Sequence, residues 1–324
     1  MFEEVKKFLT ILTVFGCQFS PAQDTAPMQV APSFINDSLP IARPDKTRIY
    51  LATAGSVAWY TGSLVALSNA WYKNYPQSSF HFFNDNDDWL QVDKAGHVFS
   101  AYSAGKLSME VWRWAGLSRK QRIWIGGLSG TAFLTVVEVL DGFSAGWGFS
   151  IGDLGADLAG SGLFIAQELA WNEQRIQVKF SFHRNDYSDP SLNSRANDLF
   201  GNRTMERMLK DYNGQTYWVS ANIKSFFKTS HFPSWLNIAV GYGANGMFGG
   251  TENVLIDKNG AVIFNRTDVP RHRQWYLAPD IDLTRIKTKS KFLKTTFFLL
   301  NSLKFPTPSI GLSKKGIEWN WLHF

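Results

Sequence analysis

The pattern of apolar and polar positions changes near residue 172 and divides the chain into two parts. The first part contains four mostly apolar runs of helical length, at residues 49–71, 97–117, 123–140 and 153–171. A run of about 20 apolar residues can cross a bilayer as a helix, but several of these runs carry charges. The pattern therefore predicts a four-helix bundle over residues 48–172 that is embedded in a membrane or lies on it, with a soluble bundle as the alternative.

Small residues recur at four-residue spacing within these predicted helices. Gly126 is followed by Gly130, and Gly152 by Ala156 and Gly160. Residues four apart share a helix face, and side chains this small allow two helix backbones to approach closely. The helices are therefore expected to pack tightly against one another.

After residue 172 the period changes to the alternation that is typical of half-buried strands. Strands are predicted at residues 176–182, 217–223, 236–242, 262–264, 275–283 and 317–324. These are fewer than the eight strands of the smallest usual membrane barrels, so a small antiparallel sheet docked to the helices is preferred to a complete barrel. The fold class is α+β, with a β-rich domain over residues 173–324.

Two helices are also expected within the β-rich part. One lies near residues 205–211, after a polar insertion. The other covers residues 292–303 and follows Lys287, Lys289 and Lys291. Its apolar face and basic start predict an amphipathic helix that lies either on a membrane surface or on the sheet.

Residues 1–23 have the pattern of an export signal. Lys6 and Lys7 precede an apolar run over residues 8–19, which is too short to span a bilayer, and small residues near Ala22 suit cleavage. Cys17, after Gly16, also partly matches a lipoprotein signal, in which this cysteine would be acylated. Both processing routes stay open. A polar linker over residues 24–47 follows, and the protein is expected in the periplasm, attached to or inserted in the outer membrane.

Composition and charge restrict the kinds of chemistry and the classes of partner that are possible. Cys17 is the only cysteine, which excludes disulfides and thiolate chemistry in the folded part. Residues 1–175 have a net charge of −3 and residues 176–324 a net charge of +9. In an exported protein, a basic half favours anionic lipid headgroups over nucleic acid as the partner. A merely well-solvated basic surface is the alternative.

The ionisable residues of the helical part recur at one-turn spacing, which places them on shared helix faces. Carboxylates in apolar helices are destabilising unless they pair, bind a metal ion or face water. The sequence therefore predicts that they converge at one end of the bundle. They are Asp93, Lys94 and His97 in the second helix, Glu138 and Asp141 in the third, and Asp153 and Asp157 in the fourth.

Three interpretations of this polar pocket stay open. In the first, capping and ion pairs only pin the helices together. In the second, a divalent metal ion is bound, with His97, Glu138, Asp153 and Asp157 as candidate ligands. In the third, His97 is a general acid or base that acts with Asp93, Lys94 and Glu138. No other cofactor is indicated.

The motifs at these positions resemble a known family. They are Asp93-Lys94-x-x-His97, Glu138-x-x-Asp141 and Ser150-x-Gly152-Asp153-Leu154-x-Ala156-Asp157-x-x-Gly160. Their order and spacing are similar to the YfiM-like predicted periplasmic lipoproteins (domain of unknown function 2279) and, more distantly, to VanZ-like membrane proteins. The strand-rich remainder looks like the extension of homologues from Bacteroidota-type bacteria. The resemblance implies envelope residence and a four-helix core, without an established reaction.

Two functions are compatible with these features. The first is an accessory or scaffold factor of the cell envelope that contacts lipid or an outer-membrane protein. The second is a lipid- or cell-wall-modifying hydrolase that uses the His97 pocket. Whether the protein is an enzyme is left open by the sequence.

Overall fold

The chain begins its described structure with a set of long helices. The structure is a computed structural model that describes residues 44–70, 76–314 and 316–323; the expected signal peptide and Cys17 lie outside these residues. The long helices are α1 (Lys46–Ala70), α2 (Val92–Trp114), α3 (Arg119–Asp141) and α4 (Ile151–Trp171). All four predicted helices are thus present.

Local sequence signals define the ends of these helices. Ser118 caps α3 and forms a reciprocal capping box with Gln121. Ser150 caps α4 by accepting a hydrogen bond from the Asp153 backbone N–H. Asn172 ends α4 in the left-handed conformation, which asparagine tolerates better than most residues.

Glycines bring α2, α3 and α4 into close contact. A Cβ at Gly126 would lie 2.7 Å from the Met109 backbone, and one at Gly130 would lie 2.5 Å from the Ala101 carbonyl oxygen. A Cβ at Gly160 would lie 2.3 Å from the carbonyl oxygen of Val98. The tight packing that the small-residue spacing predicts is therefore present between these three helices.

Helix α1 stands apart from this packing. Ala52 packs with Ala115 and Leu117, and the ring of Tyr60 stacks on that of Phe133. Most of the remaining α1 surface is exposed. The closely packed core is therefore formed by α2, α3 and α4, with α1 at its periphery, and a bundle of four helices in a membrane is not shown.

Among the described helices, α3 alone is long and apolar enough to cross a membrane by length and composition. A third of its most apolar stretch is buried inside the protein. Its glycines face α2 and α4, and Arg122 and Glu138 are buried. One face of α3 therefore packs in the protein interior, whereas Trp124, Ile125 and Leu128 on the rest of the helix are exposed.

The second part of the chain forms an antiparallel sheet of six strands in the order β1-β2-β3-β6-β7-β8, and a hairpin of β4 and β5. The antiparallel sheet that the alternation predicts is confirmed. The strands are β1 (Ile176–Phe182), β2 (Gln215–Asn222), β3 (Leu236–Asn245), β4 (Val254–Ile256), β5 (Val262–Asn265), β6 (His272–Ile281), β7 (Thr307–Ser313) and β8 (Gly316–His323).

Four shorter helices connect these strands: α5 (Pro190–Phe200), α6 (Thr204–Lys210), α7 (Ile223–Phe226) and α8 (Lys291–Leu300). The sequence predicts α6 and α8 but misses α5, whose composition is polar and which depends on Asp189 as its cap and on Pro190 in its first turn. The short helix α7 and strands β4 and β7 are missed as well. The proline and glycine of β7 are more typical of a loop.

The six-stranded sheet is strongly curled. Lys179 on β1 and Asp280 on β6 form an ion pair of 2.7 Å, although β2 and β3 lie between these strands. Three strand spacings in a flat sheet would be about 14 Å, which is farther than these two side chains reach together. The backbone of Phe180 also bonds to residues 302 and 304, next to β7. The two sides of the sheet therefore approach each other.

The two faces of the curled sheet have the reverse of the usual polarity. The inner face carries buried polar residues, among them Gln177, Ser220, Asn237 and the Lys179–Asp280 pair. They surround a small buried cluster of Trp218, Ala239, Tyr276 and Ala278. The other face, called the outer face below, is apolar. Its exposed members in register are Val219, Ile238, Val240, Trp275, Leu277, Ile310, Leu312, Ile317 and Trp319.

The helices and the sheet share a hydrophobic core at β1. Val178 packs in one cluster with Tyr102 and Phe164, and Phe99 lies against Phe180 and Tyr217. Helices α2 and α4 thus cover the apolar side of β1 and leave the outer face of the later strands exposed.

Candidate functional site

Three helix ends bring the predicted ionisable residues together. The first turns of α2 carry Asp93, Lys94 and His97, the last turn of α3 carries Glu138, and the first turns of α4 carry Asp153 and Asp157. Because glycines hold these helices close, the side chains meet in one buried group. We call it the His97 cluster; it consists of Asp85, Asp93, Lys94, His97, Glu138, Asp153 and Asp157.

Lys94 is the cationic centre of one half of the cluster. Its Nζ lies 2.8 Å from Asp85 Oδ1 and 2.7 Å from Asp153 Oδ1, with Asp93 Oδ2 at 3.6 Å. Burial lowers the pKa of Lys94, but the surrounding carboxylates outweigh burial and raise the pKa above its usual value. Lys94 is therefore charged and bridges α2, α4 and the loop that precedes α2.

His97 is held from one side and faces carboxylates on the other. Its Nδ1 lies 3.0 Å from Asp157 Oδ1, within hydrogen-bond distance. Its Nε2 lies 3.7 Å from Asp153 Oδ1 and 3.9 Å from Glu138 Oε1, which is too far for hydrogen bonds. Asp157 thus orients the ring, and Nε2 points into a gap between two carboxylates.

Groups around the cluster fix the orientation of its carboxylates. The Ser150 backbone N–H donates to Glu138 Oε2 at 3.0 Å, and the Ser150 hydroxyl donates to Asp85 Oδ1 at 2.6 Å. The Tyr212 hydroxyl donates to Asp93 Oδ1 at 2.7 Å. The second carboxylate oxygen of Glu138 and that of Asp93 are directed towards the other residues of the cluster.

The cluster holds more negative than positive groups, and this excess changes the pKa values. Burial and then the charge of Asp153 raise the pKa of Glu138 to about 8. Burial and then Asp93 raise the pKa of Asp153 to about 7. Burial lowers the pKa of His97, but the Asp157 hydrogen bond and the nearby carboxylates outweigh it and raise the value to about 10. The negative potential favours any cation at this point.

The segment that leads into α2 has an unusual backbone. Trp89, Leu90 and Gln91 have φ values of 48°, 50° and 62°, the left-handed region that costs a non-glycine residue about 1 to 2 kcal/mol. The Trp89 N–H donates to the Gly250 carbonyl oxygen at 2.8 Å, and the Tyr242 hydroxyl donates to the Leu90 carbonyl oxygen. Contacts from the β-rich part therefore hold the start of the site helix.

The structure places six of the seven predicted residues within 3.9 Å of at least one other member of the His97 cluster. The seventh, Asp141, lies at the end of α3, where its charge contributes to the raised pKa of Glu138. Sequence reasoning misses Asp85 and Tyr212 as members or neighbours of the cluster. The acidic loop at residues 85–88 was a signal for Asp85, whereas Tyr212 is 119 residues away from its partner Asp93.

A second buried polar group, also missed, fills the inside of the curled sheet. Besides the Lys179 pair, the Ser220 hydroxyl donates to Asp280 at 2.6 Å and Gln177 donates to Asp282 at 2.7 Å. Arg285 pairs with Asp282 at 3.0 Å. The alternation in β1 predicts a polar face that includes Gln177, but it does not indicate that this face is turned towards the protein interior.

The helical segment that carries the cluster is similar to a known family. Residues 81–167 match the family model described as predicted periplasmic lipoprotein (DUF2279). The matched segment contains the whole His97 cluster and most of α2 to α4. This family match supports an exported, periplasmic protein and gives no specific role. The match does not support a specific similarity to YfiM or to VanZ-like proteins, and it does not indicate a bacterial group. No curated protein and no solved structure matches the chain.

Proposed function

We propose that the protein is a non-catalytic accessory or scaffold factor of the cell envelope, attached to the outer membrane with the outer face of its sheet against lipid. The observation that carries this proposal is the reversed polarity of the curled sheet. In water-soluble sheets the apolar face is normally buried and the polar face exposed. Strands with apolar residues outside and polar residues inside are typical of sheets that contact membrane lipid.

One row of paired residues illustrates the reversal. Val178, Val219, Val240, Leu277, Ile310 and Trp319 are neighbours across all six strands. Val178, under the helices, is 4% exposed, whereas the other five are between 43% and 56% exposed. An apolar surface that continues over five strands exceeds the scattered exposed residues of ordinary soluble proteins and indicates a binding surface.

The convex shape of this surface favours lipid as its occupant. The polar side chains line the inside of the curl, so the outer face is convex. A single flat protein partner would therefore cover only a few of its strands. Trp275 and Trp319 belong to this face, and tryptophan is enriched where proteins meet the membrane interface.

A basic helix adds a contact for headgroups. Lys291 and Lys294 are exposed on α8, and Lys287 and Lys289 are exposed just before it. Phe292 and Leu299 of the same helix are 77% and 53% exposed. Exposed apolar and basic groups on one short helix suit the surface of an anionic membrane.

Vesicle flotation with charge substitutions tests the lipid contact. The full chain with Cys17→Ser, which excludes acylation, is expected to float with vesicles of phosphatidylethanolamine and phosphatidylglycerol. Leu277→Arg together with Leu312→Arg places two charges on the outer face, where each would cost about 2 to 4 kcal/mol at the centre of a lipid-facing region. We expect this variant to stay folded in the aqueous fraction and to lose flotation.

Asn259→Arg is the control, since Asn259 is exposed in the β4–β5 turn, outside the six-stranded sheet. It should float like the parent. Equal flotation of the double variant, or a parent that forms soluble dimers and ignores vesicles, would contradict the lipid contact.

A lipid- or cell-wall-modifying hydrolase is the second candidate. The observation in its favour is that Asp153 and Glu138 have pKa values of about 7 and 8, which suits proton transfer near neutral pH. Under this alternative, His97→Gln would remove activity and leave stability nearly unchanged. A structural ion cluster predicts the reverse, because the substitution leaves buried carboxylates without their partner.

A further inference from the structure

The gap in front of His97 Nε2 has the dimensions of a metal site. Two ligands of one divalent ion, bonded at about 2.1 to 2.4 Å and at angles of roughly 90° to 109°, lie about 3.0 to 3.9 Å apart. The distances from His97 Nε2 to Asp153 Oδ1 and Glu138 Oε1 are 3.7 and 3.9 Å. Asp93, His97 and Asp153 also offer ligand atoms that all lie within 4.8 Å of one another.

The Asp153 carboxylate at this gap is buried, and Lys94 is its cationic partner. Asp153 is 4% exposed, and its Oδ1 makes no hydrogen bond among the described residues. The contact of that atom with Lys94 Nζ, at 2.7 Å, is an ion pair without hydrogen-bond alignment. An ion bound between Asp153 Oδ1 and His97 Nε2 would therefore take the place of the Lys94 ammonium beside this carboxylate.

Hydrogen bonds from neighbouring groups hold the candidate ligands in place, as is usual in metal sites. A ligating histidine usually donates its second ring N–H to a carboxylate, and His97 Nδ1 lies at hydrogen-bond distance from Asp157. Asp93 and Glu138 are held through one oxygen by Tyr212 and by the Ser150 backbone, respectively. Their other oxygens are left for an ion.

We propose that the His97 cluster binds one divalent transition-metal ion of the Zn²⁺ or Mn²⁺ class, through His97 Nε2, Asp153 and Asp93. One imidazole with several carboxylates favours such borderline ions over Ca²⁺ or Mg²⁺, which prefer oxygen ligands alone. Asp157 is a positioning residue that acts through His97. Lys94 occupies part of the same space with a positive charge, so it competes with the ion.

Metal titration of the purified full chain tests this site, independently of vesicle binding. The metal-free parent is expected to bind one equivalent of Zn²⁺ in isothermal titration calorimetry, with Ca²⁺ much weaker. Asp153→Asn should abolish this binding, and Asp157→Asn should weaken it roughly 10- to 100-fold. Asp88→Asn is the matched control, because Asp88 is in the acidic loop but outside the ligand set, and it should bind like the parent.

Lys94→Met distinguishes a metal site from a purely structural cluster. Removal of a competing cation should tighten Zn²⁺ binding several-fold, whereas general damage to the cluster would weaken it. Circular dichroism of each variant checks that it is folded. A folded parent that binds no stoichiometric metal, Asp153→Asn protein that binds as the parent does, or weaker binding by folded Lys94→Met protein would overturn the proposal.

Discussion

His323 lies inside the curled sheet, where its ring stacks on Tyr276 with centroids 3.9 Å apart. Burial, and then the nearby His183 and Lys304, lower its pKa to about 4. Its Nε2 has no hydrogen-bond partner within the described part of the chain. The histidine is therefore held neutral in the fold, whereas in the unfolded chain it titrates near pH 6.5.

This shift predicts a loss of stability on acidification. Between pH 6.5 and about 4 the unfolded chain takes up a proton at His323 that the folded protein does not, so stability is complete above pH 6.5 and falls as the pH approaches 4. Urea unfolding at pH 7.5, 6 and 5 measures this. Other groups also titrate in this range, so the informative quantity is the difference between the parent and His323→Gln. Parallel pH profiles of the two proteins would rule out the effect.

The candidate site was predictable at the scale of single helices. One-turn spacing places Asp93 with His97, and Asp153 with Asp157, on shared faces, and the cost of isolated buried charge predicts that these faces meet. The partners Asp85 and Tyr212 were not predictable in the same way. Asp85 is in a loop without periodicity, and the position of Tyr212 depends on how the β-rich part packs on α2.

At the scale of elements, the close approach of α2 and α3 depends on Gly130. A Cβ there would lie 2.5 Å from the Ala101 carbonyl oxygen and 2.7 Å from the Ala101 Cα, and these backbone atoms cannot move aside alone. Gly155, on the exposed side of α4, is different, because a Cβ added there would meet no atom within 4 Å. The two glycines therefore have opposite roles in the same bundle.

Alanine substitutions at these two glycines should have opposite effects. Gly130→Ala should lower the free energy of unfolding by about 1 to 3 kcal/mol, because the two helices must separate. Gly155→Ala should raise it by about 0.5 to 1 kcal/mol, because alanine restricts the unfolded chain and favours the helix. Denaturant unfolding of both variants gives the comparison, and equal stability would contradict the close packing.

The helices and most strands were predictable because caps and periodicity are local. Ser118 and Ser150 mark helix starts, and the alternation of β1 gives its bounds at both ends. Alternation does not indicate which face is inside, since it defines two faces without assigning either to the interior. The polar interior of the sheet became visible only through contacts such as that of Lys179 with Asp280, which no local pattern contains.

At the scale of the whole molecule, this buried pair maintains the curl of the sheet. Lys179 and Asp280 are both fully buried, at 2.7 Å from each other. Removal of one partner leaves the other charge unpaired in the interior, which typically costs about 3 to 5 kcal/mol. Apolar replacement of both avoids that cost.

A double-mutant cycle measures the coupling of this pair. Lys179→Met should lower the free energy of unfolding by about 3 to 5 kcal/mol, and Lys179→Met with Asp280→Leu should recover much of the loss. Arg184→Met with Asp186→Asn is the matched control at an exposed ion pair of 3.7 Å, and should change stability by less than about 1 kcal/mol. Additive losses at positions 179 and 280 would contradict the pairing.

The closure of the sheet also determines when an exported chain can finish folding. Lys179 bonds to Asn301, which follows it by 122 residues, and β1 meets residues 302 and 304 at the closing edge. During translocation, β1 therefore reaches the periplasm long before Asp280, which pairs with its lysine, and before Asn301. Contacts so distant in sequence form slowly, and until they form the early strands have neither their polar partners nor a completed apolar surface. We expect this interval to be the stage at which the newly exported chain is most dependent on periplasmic chaperones.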